Sequence, residues 1–178
     1  MNRSLDYRKD KRTKKQFKKD IKHHTTKEAC LIEIFQKEVE DLGHKIEVAD
    51  NGVDNSGDLV KISSCNADYL CIIDGVAGLY EVKCSPVKNK CTFKVYNLEQ
   101  YVKQNSNILL FYGMGKDPCN TVPNEAMWAV ISPSKIKQML QDKKPYKEKF
   151  FGYKPCIRIY SEDFDKYFES HEVTHETA

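Results

Sequence analysis

The sequence predicts an α/β domain with a mixed central β-sheet flanked by helices. Three features of the 178-residue chain indicate this fold class. Apolar residues recur at helical spacing within residues 26–42, a β-hairpin signal surrounds Asp74-Gly75, and strand and helix patterns alternate from there to about residue 170. A chain of this length buries a sizeable core, so residues 25–170 are expected to form a single domain.

Basic residues are concentrated at the start of the chain. Residues 1–27 carry eleven Lys or Arg against three Asp, whereas the remainder carries 18 against 23, out of totals of 29 and 26. This asymmetry favours a polyanionic partner for residues 1–24, which we interpret as a flexible arm for the DNA backbone or, equally, as a solvated tail. The lysines expected to contact phosphate in this arm are Lys14, Lys15, Lys18 and Lys19. The same run is compatible with nuclear targeting.

The sequence carries no signal of secretion or of membrane insertion. It contains no run of 18 apolar residues and no signal-peptide pattern. The seven cysteines form an odd set without Cys-Xaa-Xaa-Cys spacing, which favours reduced thiols. We therefore expect a cytoplasmic or otherwise intracellular protein that has no membrane partner.

The first helix is predicted over residues 26–42, where Gly43 ends the pattern. Its inward stripe consists of Ile32, Phe35, Val39 and Leu42. Glu28 precedes this stripe by one helical turn and therefore shares its face. Two interpretations of Glu28 stay open: it closes a capping box with Thr25, or it supplies an acidic group to a functional site.

A β-hairpin is predicted next, with strands at residues 69–73 and 79–83. The first strand is apolar, Asp74-Gly75 is a turn signal, and the second strand alternates between two faces. These strands are apolar enough to lie in the centre of a sheet.

The register of this hairpin decides which polar side chains meet. We assume that Ile73 lies opposite Gly78 across a four-residue loop. Asp68 then lies opposite Lys83, and opposed residues of an antiparallel pair share a face. Asp68, Glu81 and Lys83 therefore converge on one side of the sheet, whereas a slip by one residue would turn Asp68 to the other side.

Two carboxylates and an ammonium group at one end of a sheet suit phosphodiester hydrolysis. Asp68 and Glu81 would hold a hard cation through oxygen, namely Mg²⁺ with Mn²⁺ as a substitute. Lys83 would orient the attacking water or offset charge on the phosphate. The alternative is a Glu-Xaa-Lys charge pair on a solvated surface, and Asp58 is a rival of Asp68 as the first metal carboxylate.

The spacing of these residues resembles that of the PD-(D/E)XK nuclease superfamily. The motif reads Ala67-Asp68, then twelve residues, then Glu81-Val82-Lys83, with Ala67 where proline often stands. The resemblance covers about residues 26–132. It implies a restriction-endonuclease-like core and Mg²⁺-dependent cleavage of DNA.

The resemblance also implies further site residues and a subclass. A glutamate near the start of the first helix often joins such sites, which matches Glu28. A Gln or Lys at the head of the helix after the Glu-Xaa-Lys strand often orients the water, which matches Gln100, with Lys94 as the other candidate. The small size is most similar to junction-resolving or phage-type endonucleases, which are usually homodimers. The alternatives are a sequence-specific homing or restriction-type endonuclease and an inactive DNA-binding module of the same fold.

The remaining elements are predicted from shorter patterns. Asn97 is expected to cap a helix through about residue 104, and Ser132-Pro133 to start another. Lys88 and Lys90, in a loop before the first of these helices, are expected to contact nucleic acid. Strands are predicted at residues 44–49, 93–96, 107–112, 126–131 and 156–160, and a last helix follows Ser161.

Residues 171–178 are predicted to form a flexible tail. They begin with His171-Glu172-Val173-Thr174-His175, which matches the zinc-protease signature His-Glu-Xaa-Xaa-His. That chemistry needs both histidines on one helical face and a third protein ligand, and the segment lacks an apolar helical pattern. The sequence therefore favours a polar tail over a zinc site.

Overall fold

The computed structural model describes residues 14–51, 67–149 and 151–174, with side chains from Thr26 onward. The helices are α1 (Lys14–Asp41), α2 (Val95–Gln104), α3 (Pro133–Asp142) and α4 (Phe164–Tyr167). The strands are β1 (Ile46–Asp50), β2 (Tyr69–Ile73), β3 (Val76–Ser85), β4 (Lys90–Lys94), β5 (Ser106–Tyr112), β6 (Met127–Ile131), β7 (Tyr146–Glu148), β8 (Lys154–Tyr160) and β9 (Glu169–Glu172). Within these residues, no helix has the length and apolar character that crossing a membrane would require.

Six strands form a mixed sheet in the order β1-β2-β3-β5-β6-β9. Strands β3 and β5 are parallel, and the other neighbours are antiparallel. Strands β4, β8 and β7 form a separate antiparallel sheet. A parallel pair needs a long crossover, and here β4 and α2 lie in the connection between β3 and β5. The predicted mixed sheet with flanking helices is confirmed.

The central strand β5 is buried on both faces and divides the core into two clusters. Leu109 and Phe111 belong to the cluster formed with Phe35 of α1. Ile108 belongs to the opposite cluster, which includes Leu98 of α2 and side chains of α3 and β8. A strand covered on both faces is apolar at nearly every position, which explains why residues 107–112 were recognisable from sequence.

The β2–β3 hairpin closes through a two-residue turn and not through the predicted four-residue loop. Ile73 pairs with Val76. Asp74 and Gly75 both have positive φ, 49° and 82°, as a type I′ turn requires. Gly78, predicted to close the loop, lies inside β3. The predicted register is therefore wrong by two residues, and this error leaves every side chain on its predicted face because the strand period is two.

Helix α1 begins at Lys14, well before its predicted start. Thr25 consequently lies inside the helix, where its backbone N–H is not an unsatisfied terminal group. The capping-box interpretation of Glu28 is therefore wrong. The predicted flexible arm, residues 1–24, is helical from Lys14 onward, and residues 1–13 lie outside the described part of the chain.

The ends of the helices match the sequence predictions in one case and differ from them in two. Leu42, predicted to face inward, follows the end of α1 and is 55% exposed. Helix α2 has Lys94 at its N-cap, so the predicted cap, Asn97, lies in its first turn. Ser132 does cap α3, since its side chain accepts a hydrogen bond from the backbone N–H of Lys135.

The segment after α4 contains an edge strand, so the tail prediction is wrong for residues 171–174. Strand β9 pairs with β6. The backbone N–H and the hydroxyl of Thr174 both donate to the carboxylate of Glu38 at 2.7 Å. Glu38 is 5% exposed and also accepts a hydrogen bond from Nε1 of Trp128 at 3.4 Å. A buried carboxylate of α1 thus fastens this segment, and residues 175–178 lie outside the described residues.

Candidate functional site

Residues at the end of β1 hold Asp68 against strand β3. The backbone N–H and the side-chain amide of Asn51 donate to the carbonyls of Asp68 and Ala67, both at 3.0 Å. Oδ2 of Asp68 accepts a hydrogen bond from the backbone N–H of Val82 at 2.8 Å. This hydrogen bond lies just beyond the last backbone pair of β2 and β3, and it fixes the Asp68 carboxylate beside the Glu-Xaa-Lys motif of β3.

The carboxylate of Glu81 is held from two sides. Glu81 is only 7% exposed. Its Oε1 accepts a hydrogen bond from the hydroxyl of Tyr101 at 2.7 Å and forms an ion pair with Nζ of Lys83. Lys83 also donates to the carbonyl of Val82 at 3.1 Å. The orientation of Glu81 is therefore set by helix α2 and by its own strand.

Helix α1 brings a third carboxyl group, that of Glu28, to the same end of the sheet. The pKa of Glu28 is raised from 4.5 to about 7, and burial is the largest cause. The negative charges of Asp68 and Glu81 contribute to the rise, and the ammonium group of Lys83 opposes it. Glu28 therefore lies within electrostatic reach of all three motif residues, and the structure brings the four together.

The pKa of the Asp68 carboxyl group is raised for similar reasons. Its pKa is raised from 3.8 to about 6, first by burial and then by the charge of Glu81. Lys83 and the N–H of Val82 lower this pKa, and Asp50 at the end of β1 raises it. Crowded carboxylates withdrawn from water favour either protonation or a bound cation. Asp50 is thus a fourth acidic group near the site, and the sequence patterns did not single it out.

The donor set at this site fits a hard divalent cation bound through few protein ligands. The described hydrogen bonds use Oδ2 of Asp68 and Oε1 of Glu81, which leaves the second oxygen of each carboxylate as a candidate ligand. Mg²⁺ is commonly held by one or two carboxylates together with waters and substrate phosphates. Among residues 26–51, 67–149 and 151–174, no group of three or more His, Cys, Asp or Glu side chains is arranged to hold a metal ion. A fully protein-enclosed centre is therefore not the arrangement seen in this part of the chain.

Helix α2 presents Tyr101, and not Gln100, to the motif. Gln100 has no described hydrogen bond to Glu81 or Lys83, and its role as the water-orienting residue stays a prediction. Tyr101 is 1% exposed, and a buried tyrosine hydroxyl usually finds a hydrogen-bond partner. That general rule was the only signal in the sequence for its contact with Glu81. Lys94, the other candidate, lies at the N-cap of α2 and lines a cavity together with Lys83.

The other predicted site residues lie elsewhere or outside the described residues. Lys88 forms an exposed ion pair with Glu125 at 3.1 Å. Lys90 begins β4 and is exposed. Asp58, the rival metal carboxylate, lies outside the described residues. The first turns of α1 contain four predicted DNA-binding residues whose side chains are not described: Lys14, Lys15, Lys18 and Lys19.

The zinc-protease signature is incompatible with the local backbone. His171 lies in strand β9, and its ring stacks on Trp128 with centroids 4.3 Å apart and planes at 18°. The protease chemistry would need His171 on a helix, one turn before the second histidine. His175 lies outside the described residues.

No protein-family model matches the chain, and no curated protein matches it at a significant level.

Proposed function

We infer that this protein is a metal-dependent DNA endonuclease that hydrolyses phosphodiester bonds and selects branched DNA such as four-way junctions. The observation that carries this inference is the convergence of Asp68, Glu81, Lys83 and Glu28 at one end of the central sheet. Among the described residues, the carboxyl groups of Asp68, Glu81 and Glu28 together with the ammonium group of Lys83 suit the binding of a divalent cation and a phosphate. The resemblance to PD-(D/E)XK nucleases supports the same function.

The carboxylates of Asp68 and Glu81 are the proposed ligands of the cation. Asp68 is fixed by the N–H of Val82 and Glu81 by the hydroxyl of Tyr101, so the second oxygen of each is oriented by the fold. Mg²⁺ bound there would supply Lewis-acid polarisation of a phosphate oxygen. Glu28 acts as a further ligand or as a hydrogen-bond acceptor for water at the site.

Lys83 provides the positive charge that acts on the phosphate. Its ammonium group lies at the carboxylate of Glu81 and is partly exposed, so an entering phosphate can share it. A preorganised cation beside the phosphate stabilises the negative charge that develops in the transition state. The same group can orient the attacking water.

Substrate choice follows from charge and symmetry. Eleven of the 29 basic residues lie in residues 1–27, which suits contact with the DNA backbone outside the site. Cutting both strands of a junction requires one site per strand, which favours a homodimer. A sequence-specific homing or restriction-type endonuclease is the alternative within the same chemistry.

Cleavage assays test the proposal. Wild type and Glu81→Gln are incubated with plasmid, linear duplex and a synthetic four-way junction, in Mg²⁺, in Mn²⁺ and in chelator. We expect wild type to cut the junction only with metal and Glu81→Gln to lose more than about 100-fold in rate. Glu47→Gln on β1, an exposed position, is the matched control and keeps the wild-type rate. Cutting of linear duplex at one site would favour the alternative, and cutting in chelator would refute metal dependence.

One observation favours a second candidate, a DNA-binding module without turnover. Oε1 of Glu81 is already engaged by both Tyr101 and Lys83, and the described residues assemble no three-ligand metal group. Tight DNA binding without cleavage in every divalent metal would select this candidate.

A further inference from the structure

A small cavity opens beside the candidate site, between β3, β4, α2 and the turn that follows β7. Its volume is about 130 Å³. Its walls are formed by Lys83, Thr92, Phe93, Lys94, Asn97, Leu98, Tyr101 and Phe151. Lys83 and Tyr101 also belong to the candidate site, so the cavity and the site share a wall.

The charge of the lining favours an anionic ligand. Two of the eight lining residues are lysines and none is acidic. Nζ of Lys94 lies 4.8 Å from the ring centroid of Phe151, in cation–π contact, and Nζ of Lys83 lies 6.0 Å from the ring of Tyr101. Cationic groups held beside aromatic rings are the combination with which proteins bind single-stranded nucleic acid.

The size of the cavity restricts which part of a nucleotide can enter. An engineered protein cavity of about 150 Å³ holds one benzene ring. A cavity of about 130 Å³ therefore accommodates a single six-membered ring, and the second ring of a purine would extend outside it. Phe93, Tyr101 and Phe151 supply aromatic surface to the lining, against which such a ring can pack.

We propose that this cavity binds one unstacked pyrimidine base of the DNA strand being cut, with Lys94 beside the phosphate that flanks it. The proposal rests on the proposed function and names what the site recognises next to the scissile phosphate. Extruding a base from an intact duplex costs unpairing and unstacking energy, and this cost is lowest for a base that is already unpaired. A branch point interrupts the continuous base stack of a linear duplex, so a base beside it is extruded at a lower cost, and the cavity gives a physical reason for selecting branched DNA.

The test measures binding, which needs no turnover. The probes are five-nucleotide strands in which four positions are abasic and the central position carries thymine, adenine or no base. The full chain is titrated by fluorescence anisotropy in Ca²⁺, which also binds carboxylate oxygens. We expect the thymine strand to bind about tenfold more tightly than the fully abasic strand, with adenine between them.

Two variants with matched controls locate the contact. Phe151→Ala should abolish the preference for thymine, whereas Tyr153→Ala, in the same turn but outside the lining, should keep it. Lys94→Gln should weaken binding of all three strands alike because it removes a phosphate contact. Lys154→Gln, an exposed position on β8, should leave the affinities unchanged.

Each outcome decides one of the two proposals. Equal affinity of wild type for the three strands, or a preference for thymine that survives Phe151→Ala, overturns the base-binding cavity. A protein that cuts junctions and lacks the preference overturns the cavity alone. A protein that shows the preference and cuts no DNA retains the cavity and overturns the proposed endonuclease.

Discussion

Replacing Glu28 by glutamine removes a carboxylate that the fold holds among other carboxylates. Burial and the charge of Asp68 are the largest influences that raise the pKa of Glu28, from 4.5 to about 7. The folded protein therefore binds a proton that the unfolded chain has already released between these two pH values. Because the folded state binds more protons there, the free energy of unfolding decreases as the pH rises through this window.

The size of this effect follows from the shift. One pKa unit corresponds to about 1.4 kcal/mol, so the shift sets an upper bound of about 3 kcal/mol, and solvent screening of this half-buried group reduces the cost of its ionisation in the metal-free protein to about 1–2 kcal/mol. Glutamine keeps the shape and the polarity of the protonated side chain and carries no charge. We therefore expect Glu28→Gln to be more stable than wild type by about 1–2 kcal/mol near pH 8, and equally stable near pH 4.

Urea unfolding of wild type and Glu28→Gln in chelator, across that pH range, measures the difference. Glu33→Gln is the matched control, because Glu33 is exposed on the same helix, and it should follow the wild-type curve. Added Mg²⁺ should reduce the difference in the free energy of unfolding between the two proteins at high pH, because a bound cation relieves the repulsion among the carboxylates of wild type. A Glu28→Gln variant that is no more stable than wild type near pH 8 would refute the electrostatic argument.

Three further predictions concern the carboxylate of Glu38, the hydroxyl of Tyr101 and the basic arm of residues 1–24. Glu38→Ala should lower the free energy of unfolding in urea by about 3 kcal/mol, because the backbone N–H and the hydroxyl of Thr174 would lose their buried acceptor. The control Glu33→Ala, at an exposed position, should stay within about 0.5 kcal/mol of wild type. Equal effects of the two substitutions would contradict this prediction. Tyr101→Phe should slow cleavage about 10- to 100-fold at limiting Mg²⁺ by releasing Glu81, whereas Tyr96→Phe, 58% exposed, should not. In the arm of residues 1–24, four lysines are replaced together by glutamine: Lys14, Lys15, Lys18 and Lys19. The slope of log affinity for DNA against log salt concentration should then become shallower by about 0.9 for each phosphate that the arm no longer neutralises. An unchanged slope would show that these lysines do not contact DNA.

The parts of the site that the sequence predicted are local. Asp68, Glu81 and Lys83 are carried by one hairpin, and Asp74-Gly75 is a strong turn signal for such a connection. The loop length was wrong by two residues, yet the strand period of two kept the predicted faces. Short-range patterns were therefore sufficient to bring the motif together.

The parts that were missed depend on tertiary contacts or on weak patterns. Tyr101 meets Glu81 only because the β3–β5 crossover folds α2 over the sheet, and no local pattern encodes that contact. The first turns of α1 are rich in Lys and poor in apolar residues, so periodicity did not extend the helix to Lys14. Strand β9, Glu-Ser-His-Glu, is polar because it is an edge strand, and its partner β6 is distant in the chain.

The most direct test of the account compares two aspartates of the same hairpin. Cleavage of a four-way junction is measured against Mg²⁺ concentration for wild type, Asp68→Asn and Asp74→Asn. Asp74 is exposed in the turn, where asparagine tolerates the positive φ of 49°, so this variant should cut at the wild-type rate. Asp68→Asn should lose more than about 100-fold because it removes a metal-holding carboxylate. If Asp68→Asn cuts as fast as wild type, Asp68 holds no catalytic metal and the central claim fails.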